Sequence, residues 1–521
     1  MEIITENGVE FGFDDDGLHW IKDISSEGKA VIPHKFASGK TVSKLSENFE
    51  MKGTFTDIYI SDGIIEVPSW AFNEKDVQKV RWPSTCCLIP EYCFYDSDLE
   101  TITNIENVTK IEVGAFGGTP MESFVWPKSC KEIPIECFSY SELKKIEGIE
   151  NVTVIGARAF EHTKIAIFHW PPKCLVIPEE CFADGDLDTI TGLENVTEIE
   201  YKAFSLTQIR SFTWPKKCRT IPPFCFYDSK LTKIFNIQDV TEIGAGTFAL
   251  TDITKIEWPS ECKVIPERCF EDSNLKNILN IRNVEEIHEY AFSKTGIESF
   301  LWPEKCKTIP RCCFYRSKLK TIAGIEEVER ICNCAFAYID EMKTFDWPSK
   351  CKTIPGGCFY QNNIESISNI EKVENIEGFA FRSSHIKNFR WPTKCTVIPE
   401  QCFCGSLLEK ITNTGKVEKI EKEAFAETHS LKNFKWPNKC KDIPERCFLG
   451  SGIERILGTQ YVKSIGKDAL FGATQLEILD LSCSSIVFID ERTFAGVDES
   501  KVVLPFYISE EMRTKAFKQE T

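Results

Sequence analysis

No stretch of this sequence approaches the ~20 apolar residues of a membrane-spanning helix. Its first residues, Met1-Glu-Ile-Ile-Thr-Glu, show neither a basic nor an apolar leader segment. The last, Lys518-Gln-Glu-Thr521, are polar and offer no anchor. The expectation is a soluble chain with no membrane span. Basic charge is also short, with 62 Lys and Arg against 79 Asp and Glu and a net charge of −17. An acidic surface repels phosphate, which argues against nucleic acid and anionic membrane as partners. Histidine is scarce, at seven. Neither His169 nor His288 has the neighbours of a Ser/His/Asp or Cys/His constellation, and the regular spacing described next leaves no insertion for a catalytic loop. No enzyme activity, cofactor or metal is expected.

What the sequence has in plenty is phenylalanine, 38 in all. Thirteen of them run from Phe72 to Phe336, each 22 residues after the one before, and the beat continues through Phe359, Phe381, Phe403, Phe425, Phe448, Leu470 and Phe494 with slips of one or two. A fixed period in this range marks a solenoid, in which each turn buries its apolar side by stacking on its neighbours. Two kinds of copy alternate. One reads Phe124-Val-Trp-Pro-Lys-Ser-Cys130-Lys-Glu-Ile133-Pro-Ile-Glu-Cys137-Phe138; the other reads Ile146-Glu-Gly-Ile-Glu-Asn-Val152-Thr-Val-Ile155-Gly-Ala-Arg-Ala159-Phe160. The larger unit is therefore 44 or 45 residues.

The apolar pair two residues apart, Phe124 and Trp126, suits a short strand with one buried face. Ile-Pro-x-x-Cys-Phe suits a short helical or 3-10 turn, because Pro fits the first helical position. The fold class is an α/β repeat of about 20 turns, with a parallel sheet on the concave side and short helical or 3-10 convex segments. At the spacing of stacked strands the turns would make a rod of roughly 90 Å. Residues 51–500 form the solenoid. Residues 1–50, with Asp14-Asp15-Asp16 and a divergent copy at Ile32-Pro-His-Lys-Phe36, form an N-terminal cap, and 501–521 a C-terminal cap or tail. The Trp-Pro copies at Trp82, Trp126, Trp170, Trp214, Trp258, Trp302, Trp347, Trp391 and Trp436 alternate with Asn or Gly at the same place, from Asn104 and Gly148 to Gly458. Large against small lets layers interdigitate, and Asn and Gly also tolerate a positive φ. The tryptophans read as core.

Ile155-Gly-x-x-Ala159-Phe160, followed by a Ser or Thr turn and then Leu or Ile before the next strand, resembles the BspA-like leucine-rich repeat. The resemblance covers about residues 60–500. The Trp-Pro-x-x-Cys-x-x-Ile-Pro-x-x-Cys-Phe variant is similar to copies in surface antigens of parasitic protists and host-associated bacteria. It implies adhesion at the cell surface and binding of host or matrix proteins. The missing leader and anchor favour the alternative, a cytoplasmic scaffold or structural rod.

Eighteen of the 24 cysteines belong to the repeat, nine after Trp-Pro and nine before Phe. Equivalent cysteines two turns apart would lie about 9–10 Å from each other, too far for a disulfide. Spacing leaves a bridge within a turn, such as Cys130 to Cys137, open. The alternate copies place Val and Ala there, so Cys fits as a small buried apolar residue, which favours free thiols and a reducing compartment. The pairs Cys332/Cys334 and Cys402/Cys404 have no partner pair for zinc. Sequons at Asn107, Asn151 and Asn195 read as repeat drift.

The residue between the two buried strand landmarks faces the concave solvent side. That column changes from copy to copy while its neighbours barely change. Phe235, Leu279 and Leu301 put exposed apolar residues near the middle, Glu257 lies among them, and Arg390 and Lys435 add basic charge further on. These six residues are the candidate ligand-binding positions for a protein partner.

Overall fold

Two side chains two residues apart share one face of an extended backbone. Phe124 and Trp126 do so: Ser123–Val125 is a three-residue strand, Phe124 and Trp126 are buried, and Val125 points outward. The computed structural model describes residues 3–6, 8–13, 19–25 and 28–519. Asp14-Asp15-Asp16 lies outside them. Short parallel strands recur with the 22-residue beat, and the chain divides into two units, Met1–Glu261 and Cys262–Thr521.

The first unit begins with antiparallel pairing of Ile3–Glu6 with Val9–Phe13 and of Val9–Phe13 with His19–Ser25. Pairing then turns parallel, from His19–Ser25 to Lys44–Lys52. From Phe72 to Phe248 the landmark rings form one file, with centroids 5.2–6.3 Å apart and planes within 15° of parallel. The second unit carries a like file from Phe270 to Phe448 at 5.5–5.9 Å. It ends in the α-helix Glu510–Phe517, capped by Ser509, with Phe517 5.1 Å from Phe494. The rings of the two files are buried, and burying a ring of this size is a large favourable contribution from each turn.

In most turns of the first unit a Ser or Thr three residues after the landmark closes the turn. Ser97, Thr119, Ser141 and Thr163 donate their hydroxyls to the carbonyls of Phe94, Phe116, Phe138 and Phe160 at 2.7–2.9 Å. The Trp indole is satisfied in the same local way: Trp126 Nε1 donates to Cys130 O at 3.2 Å and Trp170 Nε1 to Cys174 O at 3.0 Å. Burial without an orphaned N–H is what makes a tryptophan core workable.

The structure departs from the sequence reading at the Ile-Pro-x-x-Cys-Phe segment. Short 3-10 helices do occur, as at Ile281–Asn283 and Thr414–Lys416, but after the strand. The Pro-x-x-Cys-Phe segment is a chain of tight turns. Glu136 and Tyr140 have φ of 55° and 59°, and Cys137, Ser139 and Ser141 donate to the carbonyl three residues back. The amides of Glu136, Phe138 and Tyr140 donate sideways to Ala157, Ala159 and Glu161 of the next turn. A helix would turn those donors along its own axis; the sideways ladder satisfies them in the neighbour instead.

The strands are parallel but pair two by two. Ser123–Val125 pairs with Lys145–Glu147, and Ile167–His169 with Thr189–Thr191, with no ladder joining Lys145–Glu147 to Ile167–His169. The break follows the copy whose strand ends in a left-handed Asn or Gly. In most copies it is also filled by the Phe of the following strand: Phe168 lies 5.1 Å from Phe160 before it and 5.0 Å from Phe182 in its own turn. Where Val80 holds that place the ladder runs through, joining Phe55–Ile60, Lys79–Arg81 and Thr101–Thr103. The thiols after Trp-Pro reach across the break. Cys130, Cys174 and Cys218 donate to the carbonyls of Val108, Val152 and Val196 at 3.4–3.6 Å. All 24 cysteines are free thiols, so no Cys130–Cys137 bridge is formed.

Candidate functional site

A three-residue strand with its middle side chain buried must present the first and third to solvent. The six candidate residues all occupy the third place. In the first unit Phe235 ends Lys233–Phe235 and Glu257 ends Lys255–Glu257. In the second, Leu279, Leu301, Arg390 and Lys435 end Asn277–Leu279, Ser299–Leu301, Asn388–Arg390 and Asn433–Lys435. Phe235 is 51% exposed and Leu301 62%. Each is an apolar side chain turned to solvent beside a middle residue that is buried in the Leu301 strand and half-buried in the Phe235 strand.

Sequence reading missed the first place of each strand, which is equally exposed. It is mostly Ser, Thr, Lys or Asn, so it gave no apolar signal. Ile167 is the exception at 73% exposed, in the same unit as the outward-facing Val125.

The breaks between strand pairs open grooves on the strand side. In the first unit one of about 640 Å³ runs between Thr101–Thr103 and Ser123–Val125, floored by Met121 and Phe124 and ended by Trp126 and Pro127. In the second unit Arg390 lines a groove with Asn369 and Trp391, and Lys435 lines another with Thr412 and Trp436. Two candidate residues therefore line grooves. No group of three or more His, Cys, Asp or Glu able to hold a metal ion exists among the described residues.

The opposite, turn side carries a second column that the sequence did not reveal. The left-handed residue before Cys-Phe or Ala-Phe repeats every 22 residues, so its side chains stack into a file. Trp70 lies on Tyr92 at 4.3 Å. Further along, Arg158 reaches Glu136 at 3.6 Å and Glu180 at 2.6 Å, and Lys202 reaches Glu180 at 3.2 Å. Burial works against the Glu180 charge, yet hydrogen bonds from Arg158 and Lys202 outweigh it and hold the carboxyl below its ordinary value. The signal is present in the sequence as a charge alternation at period 22 through Glu136, Arg158, Glu180 and Lys202, inside a segment whose proline suggests a helix.

The sequon residues have structural work. Thr109, Thr153 and Thr197 donate to the carbonyls of Cys87, Lys131 and Leu175, and Asn107 and Asn195 donate to Ser84 and Pro172.

The sequence matches the family described as BspA type leucine rich repeat region (6 copies) over residues 44–166, 153–276, 285–408 and 396–521. No curated protein matches the chain. Among solved structures, a leucine rich cell surface protein from Faecalibacterium prausnitzii A2-165 is 14% identical, with 100% of this chain and 99% of that chain covered and a TM-score of 0.25. A leucine-rich repeat protein from Bacteroides ovatus ATCC 8483 is 17% identical, with 99% of each chain covered and a TM-score of 0.23. YopM from Yersinia enterocolitica WA-314 is 8% identical over 85% of this chain and 90% of that one, with a TM-score of 0.42.

Proposed function

We infer, from the premise that this chain belongs to the BspA type leucine-rich repeat family, that it is a non-enzymatic solenoid that binds a protein partner through its strand side. Residues 51–500 carry the repeats, with 1–50 and 501–521 as caps. The observation that carries the reading is the contrast within each strand. The middle residue is nearly always Phe or Ile, buried where it is Phe and mostly half-buried where it is Ile, while the third is open to solvent and varies from copy to copy. Phe235 and Glu257 are the proposed contacts in the first unit, and Leu279, Leu301, Arg390 and Lys435 in the second.

The family's association with adhesion points to a host matrix or cell-surface protein as the partner, with this chain acting as an adhesin-like surface antigen. Binding of the intact chain to purified matrix proteins tests this directly. Phe235→Asp and Leu301→Asp, each on its own, should weaken binding at least about tenfold, as expected when an exposed apolar contact worth about 1.4 kcal/mol is lost. Unchanged binding by both variants would dispose of the assigned positions.

A second reading, an intracellular scaffold or structural rod, is favoured by the 24 free thiols, which suit a reducing compartment. Protease shaving of intact cells separates the two. Cleavage of the native protein supports surface display, and full protection supports the intracellular scaffold.

A further inference from the structure

We propose that Cys312 and Cys334 are a peroxide-sensitive thiol pair that closes reversibly into a disulfide between adjacent turns of the second unit. Both stand at the left-handed place of their turns, with φ of 53° and 58°. The Cys312 amide donates to Asn333 O at 3.1 Å and the Cys334 amide to Gly356 O at 3.1 Å, so the two backbones are direct neighbours in the sideways ladder. At that spacing, about 4.8 Å, the Cα atoms fall inside the range a disulfide spans. Each thiol shifts the other's acidity across that spacing, and the Cys334 thiol also donates weakly to Gly356 O at 4.0 Å. The repeat cysteines sit two turns apart and are denied this closure; Cys312 and Cys334 are outside that set and one turn apart.

The surroundings favour a nucleophile. Tyr290 stands one turn earlier in the same file with the Arg311 guanidinium 6.0 Å from its ring, and both favour a thiolate at Cys312. Glu289 opposes them. Cys334 contributes most, ahead of the opposing desolvation and of the Tyr290 and Arg311 contributions, and the Cys312 thiol is lowered to about 6. The same interaction raises Cys334, which keeps its proton. Cys334 is half-buried and Cys312 nearly covered, so the fitting oxidant is as small as hydrogen peroxide.

In the first step the Cys312 thiolate sulfur attacks one peroxide oxygen. The O–O bond breaks, and the leaving hydroxide takes up a proton to become water. Cys312 is oxidised to a sulfenic acid as peroxide is reduced. In the second, the Cys334 sulfur attacks the Cys312 sulfur, the S–O bond breaks, and hydroxide leaves with the Cys334 proton as a second water. Two thiols and one peroxide give one disulfide and two waters, and an added dithiol reverses it.

The test treats the reduced full-length chain with equimolar hydrogen peroxide and maps cross-linked peptides by mass spectrometry. The expected product is a Cys312–Cys334 cross-link, formed faster as pH rises to about 7 and no faster beyond, and removed by dithiothreitol. Cys334→Ser should stop the reaction at a Cys312 sulfenic acid that dimedone traps. Oxidation confined to the exposed Cys87 and Cys483, or a cross-link from Cys312 to Cys332, would overturn the proposal. The wild-type map decides the matter even if the variant fails to fold.

Discussion

Asn104, Gly148, Gly192 and Asn236 fill one place in four copies of the first unit, with φ between 63° and 81°. They do so by different means. The Asn104 and Asn236 side-chain amides donate to the carbonyls of Trp82 and Trp214 at 2.7 Å, whereas a Cβ on Gly148 would stand 2.8 Å from Trp126 O. Asn turns a close approach into a hydrogen bond, and Gly avoids it. Gly148→Asn should therefore keep most of the stability. Gly148→Val, which has no such bond and is disfavoured in the left-handed region, should lose about 2 kcal/mol. Urea unfolding midpoints compare them, and equal losses would sink the argument. The alternation of Trp with Asn or Gly was legible in the sequence, and so was the tolerance of positive φ. The carbonyl contact was not, because its partner lies 22 residues away in another turn. The cysteines were half legible in the same sense. Burial followed from the Val and Ala that replace them, but the S–H bond of Cys174 to Val152 O depends on a break in the ladder that no local pattern shows.

At the scale of the element, the strands were legible and the turns were not. A strand of the form x-Phe-x-Trp announces itself by period two, and Ser123–Val125 and its kin obey it. Ile-Pro-x-x-Cys-Phe carries a helix-start signal in its proline, yet the inter-turn ladder outbids the helix because it satisfies every second amide in a neighbour that sequence alone does not place. The pairing of strands by twos was equally hidden, since the break lies between turns that sequence alone does not place side by side; it persists where Ile256 replaces the ring. Phe168 fills the space between Phe160 and Phe182 beneath the break. Phe168→Ala should destabilise the first unit by about 3–5 kcal/mol. Phe168→Ile should cost less than about 1.5 kcal/mol, because Ile256 is buried at the equivalent place. Denaturant titrations of the two variants check this, and a loss from Phe168→Ile as large as from Phe168→Ala would show that the ring's fit in the break is itself required.

For the molecule as a whole, the repeated thiol makes stability depend on pH in a direction the carboxylates do not set. Burial pushes the thiols of Cys93, Cys137, Cys181 and Cys225 in the first unit well above the ordinary value of 9.0. It does the same to Cys269, Cys313, Cys358, Cys402 and Cys447 in the second. The cysteines after Trp-Pro follow, with Cys130 raised to about 11 and Cys174 and Cys218 to about 12. An unfolded thiol ionises near 8.5, so above that pH the unfolded chain holds fewer protons than the folded one. Stability is then complete below about pH 8 and falls as pH rises toward the folded values, by about 1.4 kcal/mol per pH unit for each thiol. Melting temperature should stay flat up to about pH 8 and drop steeply above pH 9. Lysines and tyrosines titrate in the same range, so a variant isolates the thiols: Cys137→Ala, Cys181→Ala and Cys225→Ala together, a change that Ala159 and Ala203 show the place accepts. The variant should melt lower at pH 7 and lose less between pH 8 and 10. An unchanged slope would mean that the buried thiols do not govern the alkaline limit of this fold.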